Sequence, residues 1–127
     1  MGLYNTELNR ITTGVLHIGS MFFKGNILIT AAINPLNIGA LSVQTTISGT
    51  ISQGSGDTIA VASGNGGLAI RSQTVVALTE HNDVAILAAA IGGTNQNFTF
   101  TNVKKLLIGT IDGVTAVSAS GTVTIND

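Results

Sequence analysis

The chain has 127 residues, a length that suits one domain with a single core. Only 9% of the residues are charged, where about 25% is typical, and five basic residues face six acidic ones for a net charge of −1. No basic surface is therefore available to neutralise phosphates, and we expect no nucleic-acid partner.

Cysteine is absent, which excludes disulfides, thiolate metal sites and cysteine nucleophiles. The longest apolar run, residues 84–91, is far shorter than the roughly 20 residues of a membrane helix, so no membrane insertion is expected.

The first 13 residues, MGLYNTELNRITT, lack the alternation that marks the rest of the chain and contain no pattern typical of a secretory signal. They predict a capping turn, with Thr6 as the helix N-cap and with Leu8 and Ile11 facing inward at i, i+3 spacing. A second irregular segment follows at Met21–Phe23. Because three bulky apolar residues in a row do not fit a strand with two faces, we interpret this segment as a covering loop or an end plug.

From Gly14 onward, large apolar residues recur at every second position, separated by small or polar ones. This two-residue period predicts short strands with one buried face each. Glycine, asparagine and aspartate separate the strands and predict corners. The apolar pairs are Ile27/Ile29, Leu41/Val43, Ile59/Val61, Leu68/Ile70, Val76/Leu78, Val84/Ile86, Phe98/Phe100, Leu106/Ile108, Val117/Ala119 and Val123/Ile125.

Many short strands at regular spacing are compatible with a sandwich, a barrel or a parallel β-solenoid. A sandwich needs longer strands and tight hairpins, and Asp112-Gly113 is the one strong two-residue hairpin signal. The short strands and the small outer residues favour the solenoid. At roughly 20–25 residues per coil, we predict an all-β fold in which residues 1–127 form a single parallel β-helix of about five to six coils.

The polar residues offer few candidates for a chemical site. His17 alternates with Leu16 and Ile18, which predicts an outward, solvated histidine. Glu80 and Asp83, on either side of His81, are candidate cation ligands, but a polar corner is the more ordinary explanation of this cluster.

A nucleophile triad of Ser72 or Ser118 with His81 and an acid has no supporting elbow motif. The loops Gly54–Asp57 and Gly64–Gly67 resemble calcium or anion loops only faintly, and both are interpreted as turns. We therefore predict no catalytic residue, no cofactor and no metal site, and hence a protein that is not an enzyme.

Several segments, in their order, resemble a repeat module of large filamentous-haemagglutinin-like exoproteins of the two-partner secretion type. They are Glu7–Gly14, Leu16–Gly19, Gly25–Ile33, Leu41–Thr45, Leu87–Ala89, Asn97–Thr101 and Leu107–Gly113. The resemblance spans nearly the whole chain. It implies a right-handed parallel β-helix from a bacterial surface or secreted adhesin, with no catalytic residues, an extracellular or cell-surface location and a host-surface or glycan receptor.

Function is predicted from the solenoid and from this resemblance as a non-catalytic structural or adhesive segment. A solenoid has unpaired strands at its ends, which can pair with another copy when nothing protects them. We expect a homo-oligomer or filament that forms through an edge made of Gly121, Thr122, Val123, Thr124, Ile125 and Asn126.

The alternative is a solenoid that binds carbohydrate or ice through an outward threonine-rich face. That face would contain Thr99, Thr101, Thr122 and Thr124, but Ala69, Arg71, Ala77 and Ala88 interrupt the outward set. A polysaccharide lyase or hydrolase is the weakest hypothesis, because the sequence shows no carboxylate group or arginine–lysine pair on one strand face.

Overall fold

The computed structural model describes residues 3–127, and it is a parallel β-solenoid of about five turns. Short strands separated by tight corners carry the chain around the core. In chain order the elements are α1 (Asn5–Leu8), β1 (Thr13–Gly19), β2 (Ile27–Ile29), β3 (Ile38–Gln44), β4 (Ile51–Gln53), a 3-10 turn (Ala62–Gly64), β5 (Gly67–Ser72), β6 (Val76–Asn82), β7 (Ile86–Ile91), β8 (Phe98–Asn102), β9 (Leu107–Ile108), β10 (Thr110–Ile111), β11 (Val114–Thr115), β12 (Val117–Ala119) and β13 (Val123–Asn126).

Consecutive strands alternate between two parallel sheets. Sheet 1 has the order β1-β3-β5-β7-β12, with β9 also paired to β7, and sheet 2 has the order β2-β4-β6-β8-β13. A third side of the solenoid is marked by the parallel bridges Ile33↔Ile59 and Ala60↔Asp83. Each coil therefore contributes one strand to each sheet, and the predicted all-β parallel solenoid is confirmed, with about five coils.

The core consists of apolar columns, because residues of the same kind occupy the same position in successive coils. One column of sheet 1 stacks Leu16, Leu41, Leu68 and Leu87 in register. In sheet 2, Phe98 and Phe100 of β8 are fully buried. Stacked apolar side chains and continuous backbone ladders thus stabilise the same parallel register, as the two-residue period predicted.

One predicted pair, Val84/Ile86, is wrong. Val84 is fully buried, but the inward residues of β7 are Leu87, Ala89 and Ile91. A corner at Ala85 changes the phase of the alternation, so Ile86 lies on the outer face of sheet 1. It is nevertheless half-buried, because an apolar cluster outside the sheet covers it.

The N-terminal segment forms the predicted short helix, but Tyr4 and not Thr6 is its N-cap. Leu8 is buried as predicted, and Ile11 is half-buried. The helix is attached to the third side of the first coil, where the side-chain oxygens of Asn5 and Asn9 accept bonds from the backbone N–H groups of Asn34 and Leu36 (2.7 and 2.8 Å). These amide side chains satisfy donors that an unpaired strand would leave free.

The segment Met21–Phe23 is not an end plug. It forms a turn after β1, with Phe22 84% exposed and Met21 65% exposed. Phe23 is less exposed, and its ring lies against Gly25. The segment is therefore a surface loop at the corner between β1 and β2, which agrees with the first part of the interpretation.

Candidate functional site

A hairpin interrupts the last strand of sheet 1. Strands β9 and β12 both pair with β7, and between them the chain leaves the sheet to form the antiparallel hairpin β10–β11. Its two central residues, Asp112 and Gly113, have φ of 52° and 74°. Two positive φ values are the geometry that favours Asp-Gly in a two-residue hairpin. The two residues Asp112-Gly113, which were interpreted as a solenoid corner, therefore form the turn of an antiparallel hairpin inside a fold that is otherwise parallel.

The hairpin, residues 110–115, lies along the outer face of sheet 1, and we call it the strap. Ile111 and Val114 of the strap are buried in an apolar cluster with three alanines of the sheet. These alanines are Ala40, Ala69 and Ala88, from β3, β5 and β7. Gly67 lies under the side chain of Ile111, at a point where a Cβ atom would collide with it. Two of the small outward residues that interrupt the threonine pattern, Ala69 and Ala88, thus lie under the strap, whereas Ala77 belongs to sheet 2.

The tip of the strap carries a carboxylate that contacts three different coils. Asp112 Oδ2 accepts a hydrogen bond from Ser42 Oγ (2.7 Å) and lies 2.9 Å from His17 Nε2 and 3.2 Å from Arg71 Nη1. His17 belongs to β1, Ser42 to β3 and Arg71 to β5. The Ser42 hydrogen bond, with smaller contributions from His17 and Arg71, lowers the pKa of Asp112 below its ordinary value of 3.8, against the opposing effect of burial. We call these four residues the latch.

The latch contains a serine, a histidine and an aspartate, but they are not arranged as a nucleophile triad. Ser42 Oγ and His17 Nε2 both lie within hydrogen-bond distance of the same carboxylate oxygen, Asp112 Oδ2. In a triad the histidine would stand between the serine and the acid. The geometry therefore makes Asp112 a shared acceptor that holds the strap against the sheet.

The cluster around His81 is not assembled into a cation site. Glu80 Oε2 accepts a hydrogen bond from Gly56 N (2.8 Å), while Asp83 Oδ2 forms an ion pair with Lys104 Nζ (2.7 Å). His81 itself is exposed on sheet 2. In residues 3–127 no three or more His, Asp or Glu side chains are grouped as metal ligands. The polar-corner interpretation is wrong for Glu80 and His81, which lie within strand β6, and only Asp83 follows the end of the strand.

The serines of the hypothetical triad are not brought to His81. Ser72 is buried, and its Oγ accepts a hydrogen bond from Thr74 N (3.1 Å). Ser118 is exposed in β12 of sheet 1, whereas His81 is in β6 of sheet 2. These side chains have local structural roles or face the solvent.

Sequence reasoning missed a ladder of amide side chains at the corner after sheet 2. Asn82 and Asn102 are buried and in register. Asn82 Oδ1 accepts a bond from Ile59 N (2.8 Å), and Asn102 Oδ1 accepts one from Val84 N (3.1 Å). In both cases a side chain satisfies a backbone donor of the preceding coil. The signal in the sequence was an asparagine at the end of two consecutive strands of sheet 2.

The predicted association edge lies at the C-terminal end of sheet 2. Val123–Asn126 form β13, which pairs in parallel with β8, and Gly121 and Thr122 lead into it. Strand β2 is the opposite edge of the same sheet. Exposed apolar side chains are found near both ends: Leu3, Tyr4, Phe23 and Leu28 at one, and Val103, Leu107, Ile108 and Val123 at the other.

The threonine face is part of the outer surface of sheet 2. Thr99 and Thr124 are in register, and the same column continues through Ala77 to Ser52. Thr101 lies opposite Asn126 and accepts a hydrogen bond from its side chain (3.4 Å). Short hydroxyl-bearing and alanine side chains therefore dominate this face, in contrast to the strap-covered face of sheet 1.

The chain was compared with models of protein families, with curated proteins and with solved structures, and none of the three comparisons gave a match. Among residues 3–127 no helix has the length and apolar character needed to cross a membrane. What is established is therefore the class of architecture, a parallel β-solenoid with a strap over one face.

Proposed function

We propose that the chain is a non-catalytic structural segment whose solenoid ends associate with other copies. The observation that carries the proposal is the pair of edges of sheet 2, β2 and β13, each accompanied by exposed apolar side chains. An edge strand offers a row of unpaired backbone groups to another strand. No lysine or proline lies within β13 to oppose such pairing.

The resemblance to haemagglutinin-like exoproteins gives this segment a biological setting. In that setting the solenoid is one segment of a rod-shaped protein that is secreted by a bacterium or held on its surface. The segment presents an adhesive surface to a host receptor or a glycan. The low charge fits a surface that binds through hydroxyls and amides rather than through ions. Lateral adhesion and end-to-end association are compatible, because they use different surfaces of the solenoid.

Sedimentation velocity over a wide concentration range tests the association, and electron microscopy of negatively stained particles shows whether rods lengthen. We expect oligomers that grow with concentration. Val123→Pro should suppress them: Thr122 O accepts a bond from Phe98 N, so the N–H of the next residue, Val123, points away from β8. Proline there removes an outward donor and leaves the pairing with β8 intact.

Val123→Thr is the matched control, since it keeps the outward N–H while changing the side chain. It should retain more association than Val123→Pro. A wild-type protein that stays monomeric at every concentration would overturn the proposal.

A second candidate is a ligand-binding solenoid, favoured by the in-register Thr99 and Thr124 on the uncovered face of sheet 2. Thermal-hysteresis measurements and a glycan array test it directly. The double variant Thr99→Ala, Thr124→Ala should abolish binding if this face is the site, and Thr110→Ala on the strap is the control.

A further inference from the structure

The two edges of sheet 2 carry matching side chains. The inward column of this sheet runs Ile27, Ile51, Val76, Phe98 and Val123, in register from the first coil to the last. If β13 of a second copy lay beside β2, its Val123 would be placed against Ile27. The apolar column would then continue across the contact between the two copies without a polar residue.

The β2 end also contains a cavity that a second copy can fill. It has a volume of about 630 Å³, and its lining is mostly apolar, including Leu3, Leu8, Phe23, Ile27 and Leu28. Of these residues Leu28 is 55% exposed. Because the transfer of apolar surface out of water is favourable, an apolar strand is the occupant that this cavity favours.

The N-terminal helix borders this cavity and is bonded to a different side of the solenoid from β2. Its flanking residues Asn5 and Asn9 are bonded to Asn34 and Leu36 on the third side of the first coil. The edge strand β2 belongs to sheet 2 and is a different side of the solenoid. A strand paired with β2 would therefore lie beside the helix, whose Leu8 side chain lines the same cavity.

At the other end, sheet 2 is the better donor of a strand. The last strand of sheet 1 is split by the strap into β9 and β12, of two and three residues. Strand β13 is continuous over four residues and contains alternating apolar residues, Val123 and Ile125. An intact edge offers a longer backbone ladder than a divided one.

We propose that copies associate head to tail, with β13 of one copy extending sheet 2 of the next by parallel pairing with β2. This inference rests on the proposed function and specifies its contact. The register is Val123 beside Ile27, Thr124 beside Leu28 and Ile125 beside Ile29. The partner is thus a second copy of this chain, bound through its apolar C-terminal strand.

Single cysteines test this register, because the chain contains none of its own. Thr124→Cys and Leu28→Cys place thiols on the two residues that face each other across the contact, about 4.8 Å apart between strands. The two variants are mixed, allowed to associate and treated with a short bis-maleimide crosslinker. We expect covalent dimers in the mixture and few with either variant alone.

The matched control is Ser52→Cys mixed with Thr124→Cys. Ser52 lies in the same outward column as Leu28, but it is one strand further in, between β2 and β6. It should crosslink far less than Leu28→Cys. Sedimentation of each variant, with its thiol blocked, first establishes that the substitution leaves association intact.

The outcomes separate this inference from the one on which it rests. Crosslinked dimers from Thr124→Cys alone would show a tail-to-tail contact and overturn the head-to-tail register while leaving self-association standing. If the protein associates but neither cysteine variant forms crosslinked dimers, alone or in the mixture, the head-to-tail register is also wrong. Protein that does not associate at all would overturn the proposed function itself.

Discussion

Buried asparagines satisfy backbone groups that the corners of the solenoid would otherwise leave without partners. Asn102 accepts a bond from Val84 N and donates to the carbonyl oxygens of Val84 and Lys104 (3.1, 3.0 and 2.8 Å). A buried polar group without a partner costs about 1–3 kcal/mol. The Asn102 side chain therefore stabilises the corner through hydrogen bonds, just as the apolar columns stabilise the core through burial.

From this arrangement we predict that Asn102→Ala lowers the free energy of unfolding by about 2–4 kcal/mol, since both backbone groups of Val84 lose a partner. Equilibrium denaturation in urea measures the loss. Asn65→Ala is the control, because Asn65 is exposed and its side chain makes a long bond of 3.5 Å within its own turn. Equal losses in the two variants would contradict the structural role of Asn102.

The latch gives the stability of the protein a defined dependence on pH. The pKa of Asp112 is lower in the folded chain than its ordinary value of 3.8, above all because of the hydrogen bond from Ser42. The folded state therefore binds this proton more weakly than the unfolded state does. The stabilisation is fully present above pH 3.8 and is lost as the pH falls through the folded pKa.

We expect Asp112→Asn to remove this component, so that its free energy of unfolding falls less steeply than that of the wild type below pH 3.8. Denaturation curves recorded at a series of acidic pH values provide the comparison. Asp57→Asn, at a corner outside the latch, should keep the wild-type slope. The latch assignment fails if Asp112→Asn titrates as the wild type does.

At the level of elements, the strap explains why one face of sheet 1 has such small residues. Gly67 and Ala69 of β5 allow Ile111 and Val114 to approach the sheet. The sequence shows both ingredients, a two-residue hairpin signal at Asp112-Gly113 and a patchy outward set, but the signal was interpreted as a corner. It could not join them, because the hairpin and its seat are contacts between distant parts of the chain, and no local pattern encodes them.

Gly67→Val tests the strap as an element. A branched side chain at residue 67 would occupy the position of the Ile111 side chain and should lift the strap, with a loss of about 1–3 kcal/mol in the free energy of unfolding. Gly14→Val is the matched control, because an added Cβ at Gly14 has no neighbour within 4 Å among the described residues. Thermal unfolding of the two variants makes the comparison. Similar midpoints would show that the strap does not depend on the small residue beneath it.

The fold class could be predicted from the sequence because each coil of a solenoid repeats the same local sequence pattern. The two-residue period and the glycine-rich corners recur in every coil, so the parallel columns were predicted correctly for nearly all the apolar pairs. The exceptions are Ile86, where a corner displaced the alternation, and Ile108 and Val123, which are exposed in strands near the end of the solenoid. The latch was missed for a different reason: its four residues come from the first, second, third and fifth coils and meet only when the fifth coil is in place.

At the scale of the whole molecule, the strap changes how the coils depend on one another. In a simple solenoid each coil contacts only its neighbours, so stability is nearly a sum of local terms. Here the tip of a hairpin that emerges from the fifth coil contacts His17 in the first. The end coil, which has the fewest partners, is thereby fastened to the opposite end of the molecule.

This link predicts a specific change in hydrogen exchange. Thr13 N is bonded to Asn37 O, so in alternation the amides of Val15 and His17 also face β3 and are protected in the wild type. Asp112→Ala removes the acceptor of the latch. Because the His17 side chain is 56% exposed, its contact with Asp112 contributes about 0.2–1 kcal/mol, and the opening free energy of β1 should fall by that amount. That corresponds to exchange of these amides roughly 1.4 to 5 times faster, while the amides of β5, held between two strands, change much less.

Asp57→Ala is the control for this measurement and should leave the exchange of β1 unchanged. Faster exchange in all coils alike would mean that the latch contributes to global stability and not to the fastening of the first coil. Unchanged exchange in β1 would mean that neighbouring strands alone hold it. Faster exchange confined to β1 is the result that follows if the Asp112 carboxylate holds the first coil in place, because β1 is at the edge of sheet 1 and pairs only with β3 among the described residues.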